Sequence, residues 1–279
     1  MFSFTVEKSD LINILLNLEE MCSSIPLEVS KDGVDVSLLD TNKYMAFAFH
    51  FEPSMFKSFD FSGEGTERYV FSAEIFKLLV EKDMGYPIEV SSTMDSMLQL
   101  KSTSSGQIYK MKLDLDEKPE SSGNIRNHIK DILKRHDKII VKALRQDIKN
   151  AVRGVKKISS EATVELYKNV IIFKTSDSNV EAEASVQLKE ENKFELSRTF
   201  NLAFLYSMLS LITANRELSI YLFKDYKSIL FHVMLTDTGN SSAYMILAPI
   251  AEKKAAEEPV ETGASDDALD KEQSGDAES

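Results

Sequence analysis

The chain carries one cysteine, Cys22, and no tryptophan. A lone thiol excludes an internal disulfide. The opening Phe2-Ser3-Phe4-Thr5-Val6 alternates where a secretory leader has a basic start and an apolar run, so an intracellular location is expected. Uninterrupted apolar runs near the roughly 18 residues of a membrane span are also missing. The most apolar stretch, residues 200–214, is short and carries Asn201, Tyr206, Ser207 and Ser210. Catalytic signatures are equally scarce. No G-x-G-x-x-G, G-x-x-x-x-G-K-[ST] or G-x-S-x-G occurs, His50, His128, His136 and His232 show no metal-ligand spacing, and Cys22 has no histidine neighbour. Gly63-Glu64-Gly65 reads as a turn. No catalytic residue, cofactor or metal is expected. The rival from another class is a metal-dependent enzyme acting on nucleic acid, for which Asp35 with Asp40, and above all Asp114 with Asp116, are the candidate carboxylate pairs.

A general basic excess is absent too. With 33 basic and 45 acidic residues in 279, the formal charge is −12, so any contact with nucleic acid must be local. Residues 251–279 hold 10 acidic and 3 basic residues and almost no large apolar ones, the composition of a disordered acidic tail. A second break lies at Asp116-Glu117-Lys118-Pro119-Glu120-Ser121-Ser122-Gly123, where turn formers cluster. With 43% hydrophobic residues, the remainder suffices for two cored domains.

What is present is a duplication. Each half starts with an amphipathic helix, residues 9–21 and 144–158, marked by Leu11/Leu15/Leu18 and Leu144/Ile148/Val152/Val155. A hairpin follows each, turning at Asp32-Gly33 and at Lys168-Asn169. A strand then enters a second helix, N-capped by Ser72 in one half and Thr199 in the other, and three strands close each half. Matching landmarks lie 127 residues (Ser72 to Thr199) and 133 residues (Leu11 to Leu144) apart, about one domain.

In the helix at 144–158, Arg145, Lys149, Arg153 and Lys156 fall in a narrow arc opposite the apolar positions, and Asp147 is the only acid. Ordinary solvated faces mix signs. Four like charges point to a polyanion. Two strands also look matched. Tyr109-Lys110-Met111-Lys112-Leu113 alternates apolar with basic, and Glu181-Ala182-Glu183 alternates acidic with small. Such edges on two copies could pair head to tail, and repeated pairing makes a ring if the rotation closes.

The order of Leu27-Glu28-Val29-Ser30-Lys31-Asp32-Gly33-Val34-Asp35-Val36 with Leu38-Leu39-Asp40, then residues 109–116, then Tyr244-Met245-Ile246-Leu247-Ala248-Pro249 resembles the proliferating cell nuclear antigen (PCNA) family of archaeal and eukaryotic sliding clamps, over roughly residues 1–252. The resemblance implies an α+β chain of two tandem clamp domains, 1–116 and 139–252. A connector at 117–138 joins them and a tail at 253–279 follows. Antiparallel sheets would lie outside and two helices per domain would line a central hole in a trimeric ring. It implies a processivity factor without enzymatic activity that encircles duplex DNA and tethers a polymerase and other replication or repair enzymes. A specialised subunit of a heterotrimeric or checkpoint clamp is the near alternative. The implied DNA-binding set is Lys77, Arg145, Lys149, Arg153, Lys156 and Lys157. The implied partner-peptide pocket is Leu39, Tyr44, Ala46, Leu247, Ala248 and Pro249. The implied partners are the clamp loader and peptide-bearing client enzymes, in a nucleus or an archaeal cytoplasm, with no membrane. Three features depart from the family. Asn13, Asn17 and Glu20 stand where pore lysines are usual, and Ile125/Ile129/Ile132 give the connector helical spacing. Ile250-Ala251-Glu252 replaces a more acidic ending.

Overall fold

The structure is a computed structural model that describes residues 1–250 apart from 8–9, 41–42, 82–85, 94–96, 114–121, 178, 192–194, 214 and 238. The boundary expected at 116/117, the carboxylates Asp114 and Asp116, and the acidic tail lie outside the described residues.

The first half runs β1 (Phe2–Val6), α1 (Asp10–Leu18), β2 (Ser24–Ser30), β3 (Gly33–Leu39), β4 (Met45–Phe51), β5 (Ser58–Phe61), β6 (Glu67–Ser72), α2 (Ala73–Glu81), β7 (Ile88–Ser92), β8 (Met97–Ser102) and β9 (Ile108–Lys112). A connecting helix, α3 (Ser122–Lys134), leads to the second half. That half runs β10 (Lys138–Leu144), α4 (Arg145–Val155), β11 (Glu161–Tyr167), β12 (Val170–Asp177), β13 (Val180–Gln187), β14 (Leu196–Asn201), α5 (Leu202–Ser210), β15 (Glu217–Phe223), β16 (Ile229–Met234) and β17 (Ser242–Leu247).

Among the described residues every strand pair is antiparallel, and the halves repeat one topology. Strands β1-β7-β8-β9 match β10-β15-β16-β17, and β4-β3-β2-β6 match β13-β12-β11-β14; β5 is an addition beside β1. One joint breaks the symmetry. β4 pairs with β17, with Met45 opposite Leu247 and His50 opposite Ser242, so an eight-stranded sheet crosses from one half to the other. Among the described residues the equivalents of these two strands, β13 and β9, each have one partner and end their sheets as open edges.

Local chemistry explains the turns. At Gly33, φ is +129° and an added Cβ would lie 2.1 Å from the Phe51 carbonyl oxygen, so the first hairpin requires glycine. Lys168 takes φ 50° in the second hairpin. The Ser72 hydroxyl accepts from Ile75 N at 3.3 Å, the cap expected for α2. Thr199, expected to cap the last helix, instead lies within β14 opposite Thr163. The cap is Asn201, whose Oδ1 accepts from Ala203 N at 2.8 Å and Phe204 N at 3.2 Å. An amide oxygen two residues nearer the apolar run won because β14 pairs with β11 through Asn201. The helices pack in pairs, α1 on α2 and α4 on α5. Their buried faces join the sheets in one core that includes Leu11, Leu15, Leu18, Phe76, Ile148, Val152 and Leu205. Among the described residues no helix is long and apolar enough to cross a membrane.

A smaller core lies beneath α3. Ile125, Ile129 and Ile132 pack on Ala46, Ala48, Phe223, Leu230 and Ile246, the alanines on β4 leaving room for the helix. Arg126 ties the helix to the sheet by ion-pairing with Asp35 and reaching Glu28 at 3.9 Å. At the other end, Arg135 pairs with Asp137 at 2.9 Å and His128 Nε2 lies 3.0 Å from the Tyr226 hydroxyl. The helical spacing of the three isoleucines is thus realised in place of the extended connector that the family resemblance implies.

His50 Nδ1 lies 2.7 Å from the same Asp35. The hydrogen bond to Asp35 raises the His50 pKa above its ordinary value, against opposing effects of burial and Arg126. A raised folded-state pKa stabilises the fold fully below about 6.5, and that contribution fades as pH rises through the raised value. The urea midpoint of His50→Gln is therefore expected to fall below that of the parent at pH 6 and to match it at pH 9. An equal deficit at both pH values would assign His50 a packing role alone.

Candidate nucleic-acid interface

The cationic face is built on α4, where Ile148, Val152 and Val155 are buried and Arg153, Lys156 and Lys157 are exposed. Lys149 is half-buried, and burial, followed by the neighbouring Arg145 and Arg153, pushes its pKa down. The ammoniums of Lys149 and Lys156 lie 5.0 and 4.8 Å from the ring centroid of Tyr206, which reaches across from α5. The four cations Lys149, Arg153, Lys156 and Lys157 form no ion pair among the described residues. They can therefore offer uncompensated charge to phosphate.

Arg145 does not belong to this face. It is 5% exposed, and its guanidinium donates to the carbonyls of Leu209 at 3.0 Å and Thr213 at 3.1 Å and to Gln146 Oε1 at 3.2 Å. Helical periodicity placed it correctly around the axis. It could not show that the end of α5 lies over the first turn of α4. Lys77 is likewise committed, its ammonium 2.8 Å from Oε2 of Glu19 in the turn that follows α1. The helices of the first half therefore present little net positive charge. Asn13 and Asn17 are half-buried, Glu20 and Glu74 are exposed, and α2 exposes Ile75 and Leu78. α5 contributes no charged side chain.

The expected peptide-pocket residues meet where β4 joins β17. Ala248 N donates to the Tyr44 carbonyl at 2.8 Å and Ala46 is opposite Ile246. Their side chains diverge. Leu247 is fully buried in the main core, on the opposite face of β17 from Ile246, and Ala46 is covered by α3. Tyr44 stacks on Phe204 of α5 with centroids 5.5 Å apart. The open rim is thus Leu39, Tyr44, Ala248 and Pro249, and alternation along β17 explains why Leu247 drops out.

At the open edges, Ile108, Lys110 and Lys112 are exposed on β9, whereas Met111 and Leu113 are buried in their own core and Tyr109 is half-buried. On β13, Glu181 and Glu183 are exposed and Ala182 is half-buried. Asp35 and Asp40 serve the fold separately. Asp35 pairs with His50 and Arg126, and Asp40 accepts from Met45 N. No group of three or more potential metal ligands occurs among the described residues.

No protein-family model and no curated protein matches the chain. Solved structures do. The crystal structure of PCNA from Thermococcus kodakaraensis has a TM-score of 0.74 at 15% identity, and the PCNA2–PCNA3 complex from Sulfolobus tokodaii one of 0.71 at 13%. Each match covers 90% of this chain and 100% of the other. At such identities the likeness is one of fold, and the fold of this chain is that of a PCNA-type clamp.

Proposed function

We propose that the chain is a DNA sliding clamp, a ring that encircles duplex DNA and tethers polymerases and other replication or repair enzymes without chemistry of its own. The observation that carries this is the joint between β4 and β17 together with its two vacant equivalents. Repeating that joint between copies pairs β9 of one with β13 of the next. Such a head-to-tail contact continues until the rotation closes, and three two-domain chains give six similar units around a hole. Lys149, Arg153, Lys156 and Lys157 would face that hole and make sequence-blind phosphate contacts. The rim of Leu39, Tyr44, Ala248 and Pro249 would receive client and loader peptides beside α3.

The mutation that tests the joint reverses Lys110 and Lys112 to Glu. Two exposed pairs at up to about 1 kcal/mol each, together with the like-charge repulsion that replaces them, cost about 1–2 kcal/mol, so a roughly 5- to 30-fold weakening of assembly is expected, partly restored by adding Glu181→Lys and Glu183→Lys. Sedimentation across a dilution series measures it; unchanged assembly would remove the charge pairing. The weakly charged first-half helices favour a second reading, a subunit that assembles with sister chains. The mass of the purified chain separates the two, a trimer supporting a self-sufficient ring and a monomer the mixed one.

A further inference from the structure

We infer that Lys149, Lys156 and Tyr206 form a single phosphate clip, in which Tyr206 is the positioning residue that converges two lysines on the nucleic-acid backbone. The clip rests on the DNA-encircling role proposed above. Lys149 and Lys156 are seven residues apart, two turns and about 10.5 Å along α4. Long side chains at that spacing gain nothing by approaching each other, since like charges repel. Yet both ammoniums lie within 5.0 Å of one ring centroid. The ring comes from α5, so the packing of α4 on α5 sets where the charges meet.

A ring quadrupole holds a cation without cancelling its charge. A carboxylate partner does the reverse, as Glu19 does for Lys77. Tyr206 therefore restricts two flexible side chains while leaving both charges available, which lowers the ordering cost of binding. Two ammoniums gathered over one ring suit the oxygens of one phosphodiester or of two neighbouring ones. The exposed Arg153, between them on the helix, suits the next phosphate along the strand.

The test compares full-length assembled protein with Tyr206→Phe, Tyr206→Leu and pentafluorophenylalanine at position 206, reading the affinity for a short linear duplex across a salt series. Phe keeps the ring quadrupole and is expected within about twofold of the parent. Leu is expected to bind about three- to tenfold more weakly, and adding Lys149→Gln to it should cost less than Lys149→Gln alone costs the parent. The fluorinated ring keeps shape and packing but inverts the quadrupole, so it is expected to match Leu; it also decides the matter if Leu disturbs the core. A fluorinated variant that binds like the parent, or any ring-deleted variant that binds more tightly, overturns the clip. If Arg153→Gln and Lys156→Gln also leave binding unchanged, the DNA-encircling role fails with it; if they weaken binding, the clip alone fails.

Discussion

Replacing Arg145 with Leu is expected to lower the thermal midpoint by about 5–15 °C while leaving the DNA affinity of the folded protein within about threefold. The guanidinium sits at the unfavourable end of one helix dipole and the favourable end of another. It occupies the first turn of α4 but donates to the carbonyl of Leu209 in the last turn of α5 and to that of Thr213, three residues beyond the helix. α5 has no basic residue in its own last turn, and its Leu209 carbonyl is served by this neighbour. Leaving the buried Leu209 acceptor unsatisfied costs about 1–3 kcal/mol, the carbonyl of the exposed Thr213 adds less, and roughly 2–4 °C accompanies each kcal/mol in a folded body of this size. Lys, with one donor head in place of a fork, should fall between Arg and Leu. Calorimetry paired with duplex binding at 20 °C checks both halves. A stable variant with abolished binding would return Arg145 to the phosphate-contacting set.

The triple reversal Lys149→Glu, Arg153→Glu and Lys156→Glu should do the opposite, with little effect on stability or assembly and a loss of duplex affinity of several hundred-fold or more near 0.1 M salt. Each phosphate contact contributes about 0.9 to the slope of log affinity against log salt, so three lost contacts should flatten that slope by about 2.7. The affected side chains point away from the core, which Ile148, Val152 and Val155 fill, so folding should tolerate the change. Stimulation of a polymerase on primed circular template should disappear with the affinity. Retained slope and stimulation would exclude this face as the DNA contact.

Short-range signals were legible in the amino-acid order. Asp32-Gly33, the apolar stripes of the first helix in each half, the helical connector and the alternating edges can all be read within ten or twelve residues. Contacts across long separations were not. Met45–Phe51 is an apolar run whose partner, β17, lies about 200 residues away, and no local pattern announces the joint. Arg145 and Lys77 look like free cations until α5 and α1 are packed beside them. Tyr206 carried no signal within an apolar helix, because its role exists only when two lysines of another helix converge on it. Leu247 entered the peptide pocket through the family resemblance, whereas strand alternation turns it into the core.

Topology is the central claim, and retention on DNA tests it most directly. The assembled protein, with any sister chains it requires, is loaded onto a nicked circular duplex, challenged with high salt, and its half-life compared before and after the circle is cut. A closed ring threaded on DNA predicts persistence on the circle and prompt release once free ends appear. Equal dissociation from circular and linear duplex would contradict it.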